Sequence, residues 1–227
     1  MATEKDTKRL LCCCDAICFD VDSTVCIDEV IDAFATYLGC GKEIAQLTAD
    51  AMKGDVTFRS ALKQRLDLMN PKHAQYQSFI EKQSVSFTPR IRELMKLLHK
   101  RGAAVYLVSG GFRAFLLPLA KLLDVPAENV YANRLLFDDQ GNYTGFDVHE
   151  PTSESGGKSR VVDQLRSTHG YNTIVMVGDG ATDLETFPNH ADAFIGFGGN
   201  QVRDKVKKES KWFVTDFKEL IDELQEA

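Results

Sequence analysis

Two acidic motifs follow apolar runs: Asp20-Val21-Asp22-Ser23-Thr24 and Gly178-Asp179-Gly180-Ala181-Thr182-Asp183. Residues two apart on an extended chain project to the same side, so Asp20 and Asp22 can serve one site, with Asp179 ending another run within reach. Three uncompensated carboxylates repel one another. A hard divalent cation resolves the conflict, and Mg²⁺ prefers one or two carboxylates with water and phosphate oxygens completing its octahedron. Any one of these aspartates could be a turn former or a helix cap; several strand ends carrying the right residue types together favour a metal and phosphate site. Ser109-Gly110-Gly111 supplies small residues and free amides before a helix, a pattern suited to an anion. Gly156-Gly157-Lys158-Ser159 has the look of a nucleotide-binding loop, but Thr152 stands where the first glycine is required. What remains is Lys158 at a helix start, where a cation opposes the helix dipole and therefore calls for an anionic partner. Gly196-Phe197-Gly198-Gly199-Asn200 ends a further apolar run.

Such residues need a scaffold that gathers strand ends. The apolar runs Ala16 to Asp20, Ala103 to Ser109, Thr173 to Asp179 and Ala191 to Gly196 predict buried parallel strands. Helical spacing lies between them, as in Ile91, Leu94, Met95 and Leu98 after Pro89, and over Phe112 to Leu123, where Pro118 predicts a kink or a shorter first turn. Helices are also expected over Lys158 to Thr168, Val202 to Glu209 and Phe217 to Leu224. Alternating strand and helix predicts an α/β fold with a doubly wound, Rossmann-like parallel sheet, which binds ligands at the carboxyl ends of its strands. The stretch from Glu29 to Gln83 breaks the alternation with amphipathic helices over Val30 to Leu38, Glu43 to Met52, Phe58 to Met69 and His73 to Gln83. The expected organisation is a catalytic core from 1–27 and 88–227, a helical cap over 28–87 inserted after the first strand, and a small β-hairpin of Leu135 to Phe137 with Tyr143 to Val148.

With 227 residues, 27 Lys+Arg against 33 Asp+Glu and a net charge of -6, the chain has no dense basic run for a nucleic-acid backbone. It also lacks an apolar run long enough for a membrane helix. All six cysteines, Cys12, Cys13, Cys14, Cys18, Cys26 and Cys40, fall early, which argues against a disulfide framework and for a reducing, cytoplasmic setting. Read as consecutive strand residues, Cys12 to Cys14 point to opposite faces and do not converge on a metal.

Asp-x-Asp-x-Thr, Ser-Gly-Gly, a lysine and Gly-Asp-Gly-x-x-Asp, in that order, resemble the haloacid dehalogenase superfamily of phosphohydrolases. Phe19 to Val25, Val108 to Arg113, Ala132 to Leu135, Glu154 to Lys158, Val177 to Asp183 and Ala191 to Asn200 are similar, within it, to the enzymes that hydrolyse phosphoserine. The resemblance implies hydrolysis of O-phospho-L-serine to L-serine and phosphate through an aspartyl phosphate, the last step of serine biosynthesis. It implies Asp20 as nucleophile, Asp22 as acid and base, and Lys158 as the catalytic cation. Mg²⁺ would be held by Asp20, the backbone carbonyl of Asp22, and Asp179, with Asp183 supporting that shell. Ser109, Gly110, Gly111 and Thr182 would meet the substrate in the core, while in the cap Glu29 would take its ammonium, Arg65 its carboxylate, and Met52 would pack beside it. Relatives often carry a glycine pair after this methionine, where Met52-Lys53-Gly54 stands here. The alternatives are a phosphatase or phosphotransferase for another small phosphomonoester, or a phosphate-ligand sensor without catalysis. Retention of Asp20, Asp22 and Asp179 argues against the sensor. A homodimer is compatible with the resemblance.

Overall fold

The computed structural model describes residues 3–51, 57–82 and 86–227. Its strands are β1 (Ala16–Phe19), β2 (Ala104–Phe112), β3 (Val130–Asn133), β4 (Leu135–Phe137), β5 (Tyr143–Phe146), β6 (Ile174–Gly178), β7 (Ala193–Phe197) and β8 (Trp212–Val214). Six of them form one parallel sheet in the order β3-β2-β1-β6-β7-β8, and β4 pairs with β5 in an antiparallel hairpin. The helices are α1 (Glu4–Cys12), α2 (Val30–Tyr37), α3 (Gly41–Ala51), α4 (Phe58–Met69), α5 (His73–Lys82), α6 (Ile91–Lys100), α7 (Arg113–Leu122), α8 (Gly157–His169), α9 (Ala181–Leu184), α10 (Asp204–Glu209) and α11 (Lys218–Glu226).

Every residue of β1, β6 and β7 is buried, because helices cover both faces of the sheet. The chain winds from β1 outward to β2 and β3, then crosses to β6 and continues to β7 and β8. The direction of winding therefore reverses between β1 and β6, which opens a crevice at their carboxyl ends. Phe19 pairs with Val177 in register, so Asp20 and Asp179 leave the sheet side by side at that crevice.

Three sequence expectations change, and the alternatives left at Pro118 narrow. Residues 4–12 form a helix, with Thr3 and Asp6 in a capping box and Thr7 and Leu11 buried on one face; Cys12 ends it and Cys13 caps it, so Cys12 to Cys14 are not strand residues. The thiols are free, and burial pushes Cys14 and Cys18 up to about 12, well away from reactive thiolates. The strand β2 continues through Ser109, Gly110 and Gly111 to Phe112 with a register shift, so these glycines belong to an irregular strand end and the helix begins at Arg113. Pro118 lies inside α7, which runs on through it to Leu122. Finally, β3 and β8 were not anticipated; they are the two edges of the sheet, three or four residues long, where a short apolar run gives little signal.

The inserted helices α2 to α5 bury Val30, Phe34, Ile44, Leu62, Leu66, Tyr76 and Phe79 in a cluster of their own. That cluster also takes in Phe112 from the end of β2, Phe115 from the start of α7 and Phe146 from the hairpin. Phe34, Tyr76 and Phe79 all pack against Phe115, edge-on or tilted, at centroid distances of 5.5, 4.9 and 5.0 Å. Where the insertion leaves and rejoins the sheet, its two strands of chain run side by side: Ile27 N donates to Ser86 O and Thr88 N to Val25 O. Asn200 Nδ2 pins this crossing by donating to Ser23 O and Thr88 Oγ1 at 3.1 and 2.6 Å.

Candidate active site

Asp20 follows β1 with its N–H donating to Val177 O, and the chain then closes a single wide turn over Val21–Val25. Ser23 in that turn has φ 55°, a left-handed conformation that costs a residue with a side chain of order 1–2 kcal/mol. Its Oγ donates to Glu29 at 2.9 Å and its carbonyl accepts from Asn200 at 3.1 Å, which holds the turn in place. Asp22 is not simply parallel to Asp20 on an extended strand. One carboxylate oxygen accepts from Val30 N at 2.8 Å at the start of α2, and the other from Ser109 Oγ at 3.2 Å. Ser109 Oγ in turn accepts from Gly111 N at 2.8 Å, so Ser109 joins the ends of β1 and β2.

Lys158 enters from the first turn of α8 and is 8% exposed. Its Nζ donates to Asp20 Oδ1 at 2.6 Å and to Asp183 Oδ1 at 2.5 Å. A glycine at 157 is required for that entry, since a Cβ there would stand 2.3 Å from Pro151 O. Asp183 is fully buried, and its second oxygen caps Gly180 N at 3.0 Å. Gly178 makes room for it: a Cβ on Gly178 would meet the Asp183 carboxylate at 2.3 Å. Asp179 accepts from Thr24 Oγ1 at 3.3 Å and from Arg203 Nε at 2.7 Å. Oxygens of Asp20, Asp179 and Asp183 all lie within 4.8 Å of one another.

Burial, then the neighbouring Asp183, pushes the Asp20 carboxyl well above the usual carboxylate range. Burial also raises Asp22, against the stabilising hydrogen bond from Val30. For Lys158, burial alone would favour the neutral form, but Asp183 and Asp20 outweigh it and hold the ammonium charged. On the cap side, burial and the Asp22 charge push Glu29 up to about 7, with Ser23 and Arg203 opposing. Arg65, on α4, is lowered by burial, while Asp32 and Glu29 favour its charge.

Asp20, Asp22, Glu29, Arg65, Gly110, Gly111, Lys158, Asp179, Thr182 and Asp183 line one cavity of about 350 Å³. Ser109 supports it through Asp22. Met52 and Lys53 lie outside the described residues. Several cavity residues escaped the sequence reading, Ile31 among them. Phe58 lies over Gly110, so that a Cβ on the glycine would stand 2.9 Å from its ring, and Glu154 sits on the approach to α8. Arg203 spans Asp179 and Glu29, donating to the latter at 3.3 Å. Its one sequence signal is position, a cation in the loop just beyond Asn200 at a strand's carboxyl end.

Two buried carboxylates side by side, a cation clamped between two acids, and a floor of oxygen donors can attack an electrophilic phosphorus and manage a proton. The family model of the haloacid dehalogenase-like hydrolases matches residues 17–188, and the chain belongs to that family of enzymes. It is 47% identical to the phosphoserine phosphatase of Homo sapiens over 226 residues, covering 100% of both chains. Among solved structures, DsGPDH of Dunaliella salina superposes with a TM-score of 0.84 at 35% identity, covering 99% of this chain and 38% of that one. A phospho-aspartyl intermediate analogue of phosphoserine phosphatase superposes with a TM-score of 0.77 at 28% identity, covering 92% of this chain and 97% of that one. Among the described residues no helix is long and apolar enough to cross a membrane.

Proposed function

We propose that this chain is a Mg²⁺-dependent phosphoserine phosphatase, hydrolysing O-phospho-L-serine to L-serine and phosphate, with residues 28–87 acting as its cap. The observation that carries this reading is the make-up of the cavity: Asp20, Asp22, Lys158 and Asp179 from the core side, Glu29 and Arg65 from the inserted side. A zwitterionic alcohol phosphate presents complementary groups to both sides.

The donor set fits a hard cation. Asp20, Asp179 and Asp183 offer carboxylate oxygens within 4.8 Å of one another in a buried pocket. Asp20, Asp179 and the carbonyl of Asp22 would hold Mg²⁺, which when bound supplies Lewis-acid neutralisation of phosphoryl charge. Asp20 attacks phosphorus, forming a P–O bond to its carboxylate as the bond to the seryl oxygen breaks. Serine leaves as an alkoxide, a poor leaving group, so Asp22 delivers a proton to it; the burial that raises Asp22 suits it to that task. Ionised Asp22 then takes a proton from water, whose oxygen attacks phosphorus and releases Asp20 and inorganic phosphate. Lys158 meets the non-bridging oxygens as charge gathers on them; Gly110, Gly111 and Thr182 line the same wall, and Ser109 ties that wall to Asp22. Glu29 accepts the substrate ammonium and Arg65 grips its carboxylate as a bidentate fork.

Phosphate release from a panel of small phosphomonoesters, with Mg²⁺ and with chelator, tests the reading. Phosphoserine is expected to lead the panel and chelator to abolish turnover. A preference for phosphomonoesters lacking either the ammonium or the carboxylate would overturn it.

A further inference from the structure

The cap helix α4 carries Phe58 and Arg65, seven residues apart and so on one face, and both line the cavity. Between that helix and the core stands Arg59, which the proposed chemistry does not use. Its Nη2 donates to Val148 O at 3.1 Å, Ser153 Oγ at 3.2 Å and Glu154 Oε2 at 3.3 Å. Beside it Phe58 N donates to Ser155 Oγ at 3.4 Å. The segment these bonds grip leads directly into Lys158. From its other side Arg160 of α8 reaches Pro151 O at 3.0 Å and Glu154 at 3.4 Å.

We propose that Arg59 is a positioning residue, the latch that fixes α4 to the 148–155 segment and so sets Arg65 and Phe58 in register with Lys158. The inference rests on the functional reading above for its catalytic consequence, but the latch itself is a physical contact. Removing it loosens both the cap helix and the approach to α8, whatever part of the substrate the cap grips. The effect therefore differs from loss of a substrate ligand: substrates without a carboxylate also suffer, through the loosened approach to Lys158, while phosphoserine loses the Arg65 register in addition.

The test uses the full chain and two readouts. Hydrogen exchange is expected to speed up over residues 148–155 and the first turn of α4 in Arg59→Ala. The same variant is expected to lose roughly 3- to 30-fold in kcat/KM for phosphoserine and to lose activity on phosphoethanolamine as well, with Arg59→Lys recovering most of both losses. Glu154→Gln removes the partner charge from the other side and should shrink the effect of a superimposed Arg59→Ala. Unchanged exchange over 148–155, a lysine variant no better than alanine, or a loss confined to phosphoserine overturns the proposal. Should the parent release no phosphate from phosphoserine, the functional reading fails while the exchange comparison still decides the latch.

Discussion

Lys158→Met tests whether the buried cation holds the acidic cluster together. Methionine keeps most of the stem and removes the charge, leaving Asp20 and Asp183 without the ammonium that now sits 2.6 and 2.5 Å from them. Removing one partner of a buried ion pair typically costs ~3–5 kcal/mol, because the remaining charge stays desolvated and unpaired. For a chain of this size that corresponds to a fall in Tm of roughly 6–20 °C. The loss should depend on pH. Both carboxyls already sit above their usual range, and without Lys158 they rise further, so the folded variant binds more protons than its unfolded chain. A carboxyl raised in the folded state lowers stability as pH climbs from the unfolded pKa towards the folded one. The variant therefore loses more than the parent as pH rises from about 5 to 8, and the gap narrows on acidification. Urea unfolding of both proteins at these two pH values, in chelator, measures it. A difference under about 1 kcal/mol at pH 8, or an equal gap at both values, would refute the reasoning. Turnover should fall by roughly 10²- to 10³-fold or more, as when a preorganised donor to transition-state charge is removed.

Asp20→Asn should abolish phosphate release with the fold retained, and a beryllium fluoride mimic of the acyl phosphate should bind the parent and not the variant. Asp22→Asn should slow single-turnover phosphorylation severely with phosphoserine and mildly with an aryl phosphate, whose phenolate leaves without a proton; equal losses would remove Asp22 from the acid role. Arg65→Ala should cost at least roughly thirty-fold in kcat/KM for phosphoserine, the lower end of the ~2–5 kcal/mol for breaking a desolvated charge pair. Phosphoethanolamine, which keeps the ammonium and lacks the carboxylate, should barely respond. Because Glu29 is pushed up to about 7, it must ionise to take an ammonium, so kcat/KM for phosphoserine should rise through that pH relative to a phosphomonoester without an amine. The ratio cancels titration of the phosphate itself, and a flat ratio between pH 5.5 and 8.5 would remove Glu29 from that role.

The central strands were legible because Ala16–Phe19, Ile174–Gly178 and Ala193–Phe197 are buried on both faces and read as unbroken apolar runs. Edges were not: Trp212–Val214 is flanked by charged residues and needs only one neighbour. The helix at 4–12 was hidden because its apolar face merges in sequence with the strand that follows, and only the Thr3 and Asp6 cap at its start marks it. In the site, Asp20, Asp22, Asp179 and Asp183 announced themselves by spacing, since motif and strand end coincide. Glu29 and Arg65 drew meaning only from the family resemblance, because one acid just before a helix and one base on another look like solvated surface. Arg203 offered only its position beyond Asn200 as a signal, and Arg59 none. Their partners lie 24 to 174 positions away for Arg203 and 89 to 95 for Arg59, so only the folded chain brings them together.

The paired crossing at Ile27 with Ser86 and Val25 with Thr88 gives the inserted helices an entrance and an exit at a single point of the sheet. A segment attached this way behaves as an exchangeable part: its length does not alter the separation of the two ends, so the loop-closure penalty changes only slowly with what is inserted. The aromatic seam limits that freedom. Phe112, Phe115 and Phe146 belong to the core chain yet are roofed by the insertion. Any replacement must bring its own apolar underside to meet them, or leave a sticky patch beside the catalytic pocket. New specificities are therefore best sought by varying residues such as Arg65 on the existing roof, with Phe34, Tyr76 and Phe79 kept beneath it.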